Sequence, residues 1–193
     1  MMLVVDYIAF EGNGDPIFKE LGVVSVDGRR AAHLLVKPPY AWTTLDSAIQ
    51  KSYRRQIKEQ HGICWEDGNV AYSQLAPQLN RALARAIALY SFGTEKCRAL
   101  EKLTGRTFIN IETEFKCPLM DHTALIGTSC LIPCHGLPLM QCALRDADRM
   151  RQWLQYYSER TKITNFCPSS QSPATPPPTD GGVRDDCVCA KPV

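Results

Sequence analysis

The sequence predicts an α/β domain in which three antiparallel strands are followed by parallel strands, all in one mixed sheet flanked by helices. An Asp27-Gly28 step between two runs rich in apolar residues is a strong short-range signal for a β-hairpin. After Thr44 the apolar spacing changes to that of a helix. Residues 86–92 (AIALYSF) are almost wholly apolar, as in a strand covered on both faces.

The predicted elements follow one another in the order βββ, α, α, β, α, β, α. Strands are expected at residues 1–10, 18–26, 29–37, 86–92 and 107–112, and helices at residues 44–60, 73–86, 94–103 and 139–160. In the first helix the apolar residues Leu45, Ile49, Tyr53 and Ile57 lie four apart and form one face. Gly105 is expected to end the third helix.

Composition limits the classes of protein to which the chain can belong. With 193 residues, 45% of them hydrophobic and 22% charged, the chain suits one domain over residues 1–160. The Pro/Ser/Thr-rich tail over residues 161–193 is expected to be disordered. A formal net charge of +2 does not by itself indicate nucleic acid. Because Asp6 interrupts the first apolar run and no run approaches the roughly 20 residues of a membrane span, an intracellular protein, cytoplasmic or nuclear, without a membrane partner is expected.

Nine cysteines require an explanation in an intracellular chain. A disulfide framework is not expected there, and an odd number of cysteines cannot all pair. Cys64 and Cys97 have apolar or helical neighbours and are expected to be core residues. Only residues 129–142 (SCLIPCHGLPLMQC) combine several cysteines with a histidine at a spacing that suits metal ligands.

Short motifs along residues 3–155 resemble those of the DEDDh 3′–5′ exonucleases, which have a ribonuclease H-like fold. The quoted segments are LVVDYIAF with IFKELGVVSVDG, HGICWEDG, ALYSFGTEKCRAL and QCALRDADRM. The element order also fits this fold, as it fits α/β domains in general. The resemblance implies four carboxylates that hold two magnesium ions and a histidine that activates water.

This chain keeps little of that exonuclease set. Asp6 matches the first carboxylate and Asp146 matches the last. The second carboxylate is replaced by Ile8, the middle one falls near Glu95 or Lys96, and Gln141 replaces the histidine base. Two carboxylates without a base cannot assemble a two-metal site, so an inactive scaffold without Mg²⁺ is expected.

The chain also resembles the Maelstrom domain and a group of animal exonuclease-like proteins. The matching residues are Lys19-Glu20-Leu21, His61-Gly62-Ile63, Trp65, Gly68, Tyr72, Gly93, Glu95-Lys96, Cys117-Pro118-Leu119 and Cys142-Ala143-Leu144. The Maelstrom resemblance implies a structural zinc site made of Glu, Cys, His and Cys. The ligands assigned on that basis are Glu20, Cys130, His135 and Cys142.

Two alternatives to this ligand set remain open. Cys134 could replace Cys130, although it lies directly beside His135 and adjacent ligands are geometrically awkward. Cys117 and His122 have the same spacing as Cys130 and His135 and form a rival pair.

A basic run in the first predicted helix is a candidate phosphate-binding surface. It contains Lys51, Arg54, Arg55 and Lys58, with Tyr53 between them, and Arg29-Arg30 could extend it. A solvated helix face explains the same pattern without a ligand. The remaining notable side chains, His33, His61, Trp42 and Trp65, are expected to be structural.

Two functions therefore follow as expectations. The first is a zinc-stabilised, catalytically degenerate exonuclease-fold domain that binds single-stranded RNA or a protein partner, and the Maelstrom resemblance implies small-RNA or transposon- and virus-related RNA pathways. The alternative is an active nuclease that cleaves single-stranded RNA or DNA. Absence of a glutamate at position 8 and of a base at position 141 favours the binding module.

Overall fold

The chain forms a five-stranded mixed sheet with helices on both faces, in a computed structural model that describes residues 1–12, 14–118 and 141–161. The strands are β1 (Met2–Phe10), β2 (Ile17–Ser25), β3 (Ala31–Leu35), β4 (Ala88–Ser91) and β5 (Ile109–Asn110). The helices are α1 (Ser47–Gln56), α2 (Leu75–Leu83), α3 (Thr94–Thr104), α4 (Ile111–Glu114) and α5 (Ala143–Thr161). The predicted tail falls almost entirely in residues 162–193, outside the described residues.

The strand order in the sheet is β3-β2-β1-β4-β5. β1 and β2 pair antiparallel, as do β2 and β3, whereas β4 pairs parallel with β1 and β5 pairs parallel with β4. The prediction of an α/β domain with a mixed sheet flanked by helices is confirmed.

Several elements are shorter than predicted, such as the helix expected at 73–86, and for two elements a side-chain cap gives the reason. The strand expected at 107–112 is only two residues long, because the Asn110 side chain accepts a hydrogen bond from the Glu112 N–H and starts α4. The first helix begins at Ser47 rather than Thr44, because Asp46 is its N-cap and accepts from the Ile49 N–H.

The sheet separates two apolar layers. On one face, alternate β1 residues such as Leu3 and Val5 pack with Leu79 of α2 and Leu100 of α3. On the other face, residues such as Val4 of β1 pack against α5. Because successive strand residues point to opposite faces, Val4 and Ile8 of β1 and Glu20, Gly22 and Val24 of β2 lie beneath α5. The polar side chains of the candidate functional site lie in this layer, between the sheet and α5.

Helix α5 approaches the sheet most closely at Gly22. A Cβ atom on Gly22 would lie 2.4 Å from the carbonyl carbon and oxygen of Ala143 and 2.4 Å from Cα of Leu144. These are backbone atoms, so they cannot move aside as a flexible side chain would. Glycine at this position therefore lets the first turn of α5 lie directly on β2.

Replacing Gly22 with alanine is expected to lower the free energy of unfolding by roughly 3 kcal/mol, because the new methyl group must displace the start of α5. Chemical denaturation of the purified variant measures this change. Gly14→Ala is the matched control, since a Cβ at Gly14 meets nothing within 4 Å. Equal stability of the two variants would show that α5 does not depend on this contact.

Among the helices that the structure describes, none is both long and apolar enough to cross a membrane.

Candidate metal centre and acidic pocket

Three side chains with metal-binding atoms meet between the sheet and the start of α5. The ligand atoms of Glu20, His33 and Cys142 all lie within 4.8 Å of one another. Glu20 and Cys142 are fully buried, and the side chain of His33 is 7% exposed. We call these three residues the Glu-His-Cys cluster.

The sheet register and α5 together bring the cluster into place. In the β2–β3 pairing Gly22 lies opposite His33 and Glu20 lies opposite Leu35, so Glu20 and His33 share the face beneath α5. Cys142 immediately precedes α5, and the close contact of α5 with Gly22 holds Cys142 over Glu20 and His33.

Glu20 is at the centre of the cluster's hydrogen bonds. One carboxylate oxygen contacts Nε2 of His33 and lies 3.5 Å from the thiol of Cys142. The other oxygen accepts a hydrogen bond from the Ala143 N–H at 3.2 Å, the first residue of α5. A carboxylate at this position is stabilised by the partial positive charge of the helix N-terminus.

One pair of donors in the cluster has the spacing of two ligands on a tetrahedral metal ion. Metal–sulfur and metal–oxygen bonds of about 2.3 Å and about 2.0 Å place two tetrahedral ligands about 3.5 Å apart. The sulfur–oxygen distance between Cys142 and Glu20 is 3.5 Å. Nε2 of His33 already contacts Glu20, while its Nδ1 is buried without a hydrogen-bond partner among the described residues. A metal ion would replace the direct contact between His33 and Glu20.

The cluster overlaps only in part with the ligands predicted from sequence. Glu20 and Cys142, which are 122 residues apart, do converge. Cys130, Cys134, His135 and the rival His122 lie in residues 119–140, outside the described part of the chain. Histidine 33 was expected to be structural, yet it occupies the position of a third ligand. The hairpin turn at Asp27-Gly28 sets the register between β2 and β3, which places His33 on the same face as Glu20. This register was the signal that could have identified His33 as a ligand.

Cys117, the rival cysteine, belongs to the apolar layer beneath α5. It is 4% exposed and packs among residues such as Ile111. Burial raises the pKa of the Cys117 thiol to about 12, which disfavours the thiolate that a metal requires. Cys97 is likewise buried, as expected, whereas Cys64 is exposed and is therefore not the core residue that was predicted.

Asp6 and Asp146, the two carboxylates that the sequence analysis matched to the exonuclease set, face a second site, a cavity of about 350 Å³ that is also lined by Lys96, Gln141 and His61. We call this cavity the acidic pocket. Nζ of Lys96 donates to Oδ1 of Asp6 at 2.5 Å and to the Tyr7 carbonyl at 3.2 Å. Burial raises the pKa of Asp6 to about 6, against the opposing effect of the Lys96 ammonium.

Asp146 also has a basic partner. Its Oδ1 accepts a hydrogen bond at 3.1 Å from the guanidinium of Arg149, which is 3% exposed. Each of the two carboxylates that could bind magnesium is thus paired with a protein cation. An ammonium and a guanidinium supply positive charge of the kind that metal ions would otherwise provide.

His61 does not replace the missing base at position 141. Its Nδ1 accepts a hydrogen bond from the Ile63 N–H at 3.0 Å, so the proton of the neutral ring is on Nε2. A ring held in this tautomer presents a donor at Nε2, whereas a general base needs a lone pair there.

The basic run along α1 and the helical turn that follows it (Ile57–His61) is exposed, as a candidate phosphate-binding surface requires. Its exposed members are Lys51, Arg54, Arg55 and Lys58. Arg55 forms an ion pair with Glu59 at 2.7 Å, and Arg54 lies over the ring of Trp42. Tyr53 cannot stack on a base, because it is buried against Phe10.

A buried lysine that the sequence did not identify holds the loop after α1. Lys19 is fully buried, and its Nζ donates to the carbonyls of Trp65 and Asp67, both at 2.6 Å. Burial lowers the pKa of Lys19 to about 8. Trp65 is buried against Phe10, which confirms its prediction as a core anchor.

Comparison of the chain with protein-family models and with curated proteins gives no match, so its function is inferred from the geometry of these sites.

Proposed function

We propose that this chain is a catalytically inactive, ribonuclease H-like domain that is stabilised by a structural zinc ion and binds single-stranded RNA. The observation that carries the proposal is the Lys96 ammonium on Asp6 inside the acidic pocket. A positive charge at this place repels a divalent cation, and the pocket has no carboxylate at position 8 and no base at position 141. Its chemistry suits a scaffold better than a two-metal nuclease.

The Glu-His-Cys cluster supports the zinc part of the proposal. Thiolate and imidazole ligands suit Zn²⁺, and structural zinc sites have four ligands. The cluster supplies three, so the fourth would come from Cys130, Cys134 or His135 in the segment between α4 and α5. Such a site would tie that segment and α5 to β2 and β3, which is a role in stability rather than in catalysis.

The exposed basic face of α1 supports the RNA part. Four cationic side chains project from about two helical turns, formed by the end of α1 and the residues just after it, and only Arg55 has a carboxylate partner among the described residues. Contacts of this kind bind the phosphate backbone without reading sequence. Single-stranded RNA of any sequence is therefore the proposed ligand, and participation in an RNA-silencing pathway is the corresponding biological setting.

The RNA proposal is tested by replacing Lys51, Arg54, Arg55 and Lys58 together with alanine. The wild-type chain is expected to bind labelled oligouridylate with an affinity that falls as salt rises. Each lost phosphate contact lowers the slope of log affinity against log salt by about 0.7, so the quadruple variant should lose a slope of about 3. Fluorescence anisotropy across salt concentrations measures this slope.

Arg98→Ala combined with Lys102→Ala is the matched control, because both residues are exposed on α3. The control should retain the wild-type slope. Unchanged binding by the quadruple variant would exclude α1 as the RNA surface. RNA cleavage in Mg²⁺ that Asp6→Ala abolishes would instead establish the alternative, an active nuclease.

A further inference from the structure

A depression with a basic rim lies at the end of the sheet away from α1. Its volume is about 530 Å³, and its lining includes Met2, Val26, Asp27, Arg29, Arg30 and Arg85. We call it the arginine depression. Met2 begins β1, whereas Phe10, which contacts α1, ends it. The nine-residue strand thus separates the two basic surfaces by roughly 26 Å.

The three guanidinium groups of the arginine depression are available to a ligand. Within the described residues, Arg29, Arg30 and Arg85 form no ion pair with a carboxylate. The nearby Asp27 is committed to the hairpin turn, since its Oδ1 accepts from Ser25 Oγ at 2.5 Å and from the Arg29 N–H at 3.1 Å. The depression is therefore positive overall.

An exposed aliphatic side chain borders this positive rim. Ile87 is 71% exposed, and its N–H donates to the carbonyl of Met1 at 2.9 Å, beside the depression. Met2 and Val26, which are partly buried, add apolar surface to the lining. Protein-binding surfaces combine apolar contact area with arginine, and the depression places Met2, Val26 and Ile87 beside three arginines.

The chemistry of the lining distinguishes a peptide from a nucleic acid. Single-stranded nucleic acids are bound by basic groups interleaved with aromatic rings on which bases stack. Among the described residues, the lining of the arginine depression contains aliphatic and thioether side chains and no aromatic ring. Carboxylates pair well with arginine forks, and an aliphatic partner would cover Ile87.

We infer that the arginine depression and Ile87 form a docking site for an acidic peptide segment of a protein partner that also carries aliphatic side chains. Carboxylates of the segment pair with Arg29, Arg30 and Arg85, and an aliphatic side chain packs on Ile87. This site is independent of the proposed RNA surface and shares no residue with it.

The inference is tested by fluorescence anisotropy with a labelled peptide of about twelve residues that contains glutamate and leucine in equal numbers. The wild-type chain is expected to bind this peptide more tightly than it binds polyglutamate of the same length. Arg85→Ala and Ile87→Ser should each weaken binding roughly tenfold. Both side chains are exposed, so neither change should unfold the domain.

Arg98→Ala, which removes an exposed arginine from α3, should bind the peptide as the wild type does. The inference would be overturned if the wild-type chain bound polyglutamate as tightly as the glutamate–leucine peptide and the Ile87→Ser variant bound that peptide normally. The site would then be a general anion surface. Failure of the glutamate–leucine peptide to bind would also overturn it, as would its displacement by oligouridylate through the same arginines.

Discussion

Replacing Lys96 with methionine is expected to lower the free energy of unfolding by roughly 2–3 kcal/mol near neutral pH. The variant leaves the buried Asp6 carboxylate without its ammonium partner, beside Asp146, whose charge raises the pKa of Asp6. Lys96 is 39% exposed, so water screens part of the interaction and the loss falls below that of a fully buried pair. Chemical denaturation of both proteins gives the difference.

The pH dependence of this loss identifies its cause. Because the folded-state pKa of Asp6, about 6, exceeds the unfolded value of 3.8, the folded protein binds more protons between these values. The contribution of Asp6 to stability is therefore full below about pH 4 and is lost as pH rises through about 6. Without Lys96 the pKa rises further, so the difference between variant and wild type should be small near pH 5 and large near pH 8.

Asp6→Asn combined with Lys96→Met is the control for the pair, because it removes the buried charge together with its partner. The double variant should recover much of the lost stability and have a weaker pH dependence than Lys96→Met. A loss of the same size at about pH 5 and about pH 8 would show that Lys96 acts through packing rather than through its charge.

Removal of the proposed zinc ion is expected to have the largest effect on stability. The purified chain should contain about one zinc ion, and a strong chelator should lower the free energy of unfolding by about 4 kcal/mol or more. Cys142→Ser, His33→Gln and Glu20→Gln should each lower the zinc content. Elemental analysis and thermal unfolding, each with and without chelator, measure the two effects separately.

Cys97→Ser is the matched control, because Cys97 is buried but lies in the apolar layer on the opposite face of the sheet. It should lose stability without losing zinc. Serine variants of Cys130 and Cys134 and a glutamine variant of His135 then identify the fourth ligand by their zinc content. If the folded wild-type chain contained no metal and its stability did not change with chelator, the zinc site would be excluded. The Glu-His-Cys cluster would then be a hydrogen-bonded pair beside a thiol.

Local signals explain why much of the fold could be predicted. Asp27-Gly28 specified the hairpin between β2 and β3, and Gly105, with a positive φ of 69°, ends the helix predicted at 94–103. The two-sided burial of β4 follows from its apolar run. These features depend on a few neighbouring residues. The strand β5 was predicted, but its shortness was not, because a single side-chain cap at Asn110 outweighed an apolar pattern.

The candidate sites depend on contacts between distant parts of the chain, and so less of them could be predicted. Lys96 was matched only to the region of the middle carboxylate, because its direct contact with Asp6 spans 90 residues and is visible only in the folded chain. His33 was overlooked because a histidine in the middle of a strand resembles many structural histidines. Its proximity to Glu20 depends on the register, and the approach of Cys142 depends on Gly22.

One turn of α5 connects the two sites. Cys142 and Asp146 are four residues apart, a rise of about 6 Å, and the Asp146 N–H donates to the carbonyl of Cys142 at 2.9 Å. A displacement of this turn changes the Glu-His-Cys cluster and the acidic pocket together. Any coupling that this turn carries between an ion at one end and a molecule at the other must be reciprocal, because thermodynamic linkage changes both affinities by the same factor.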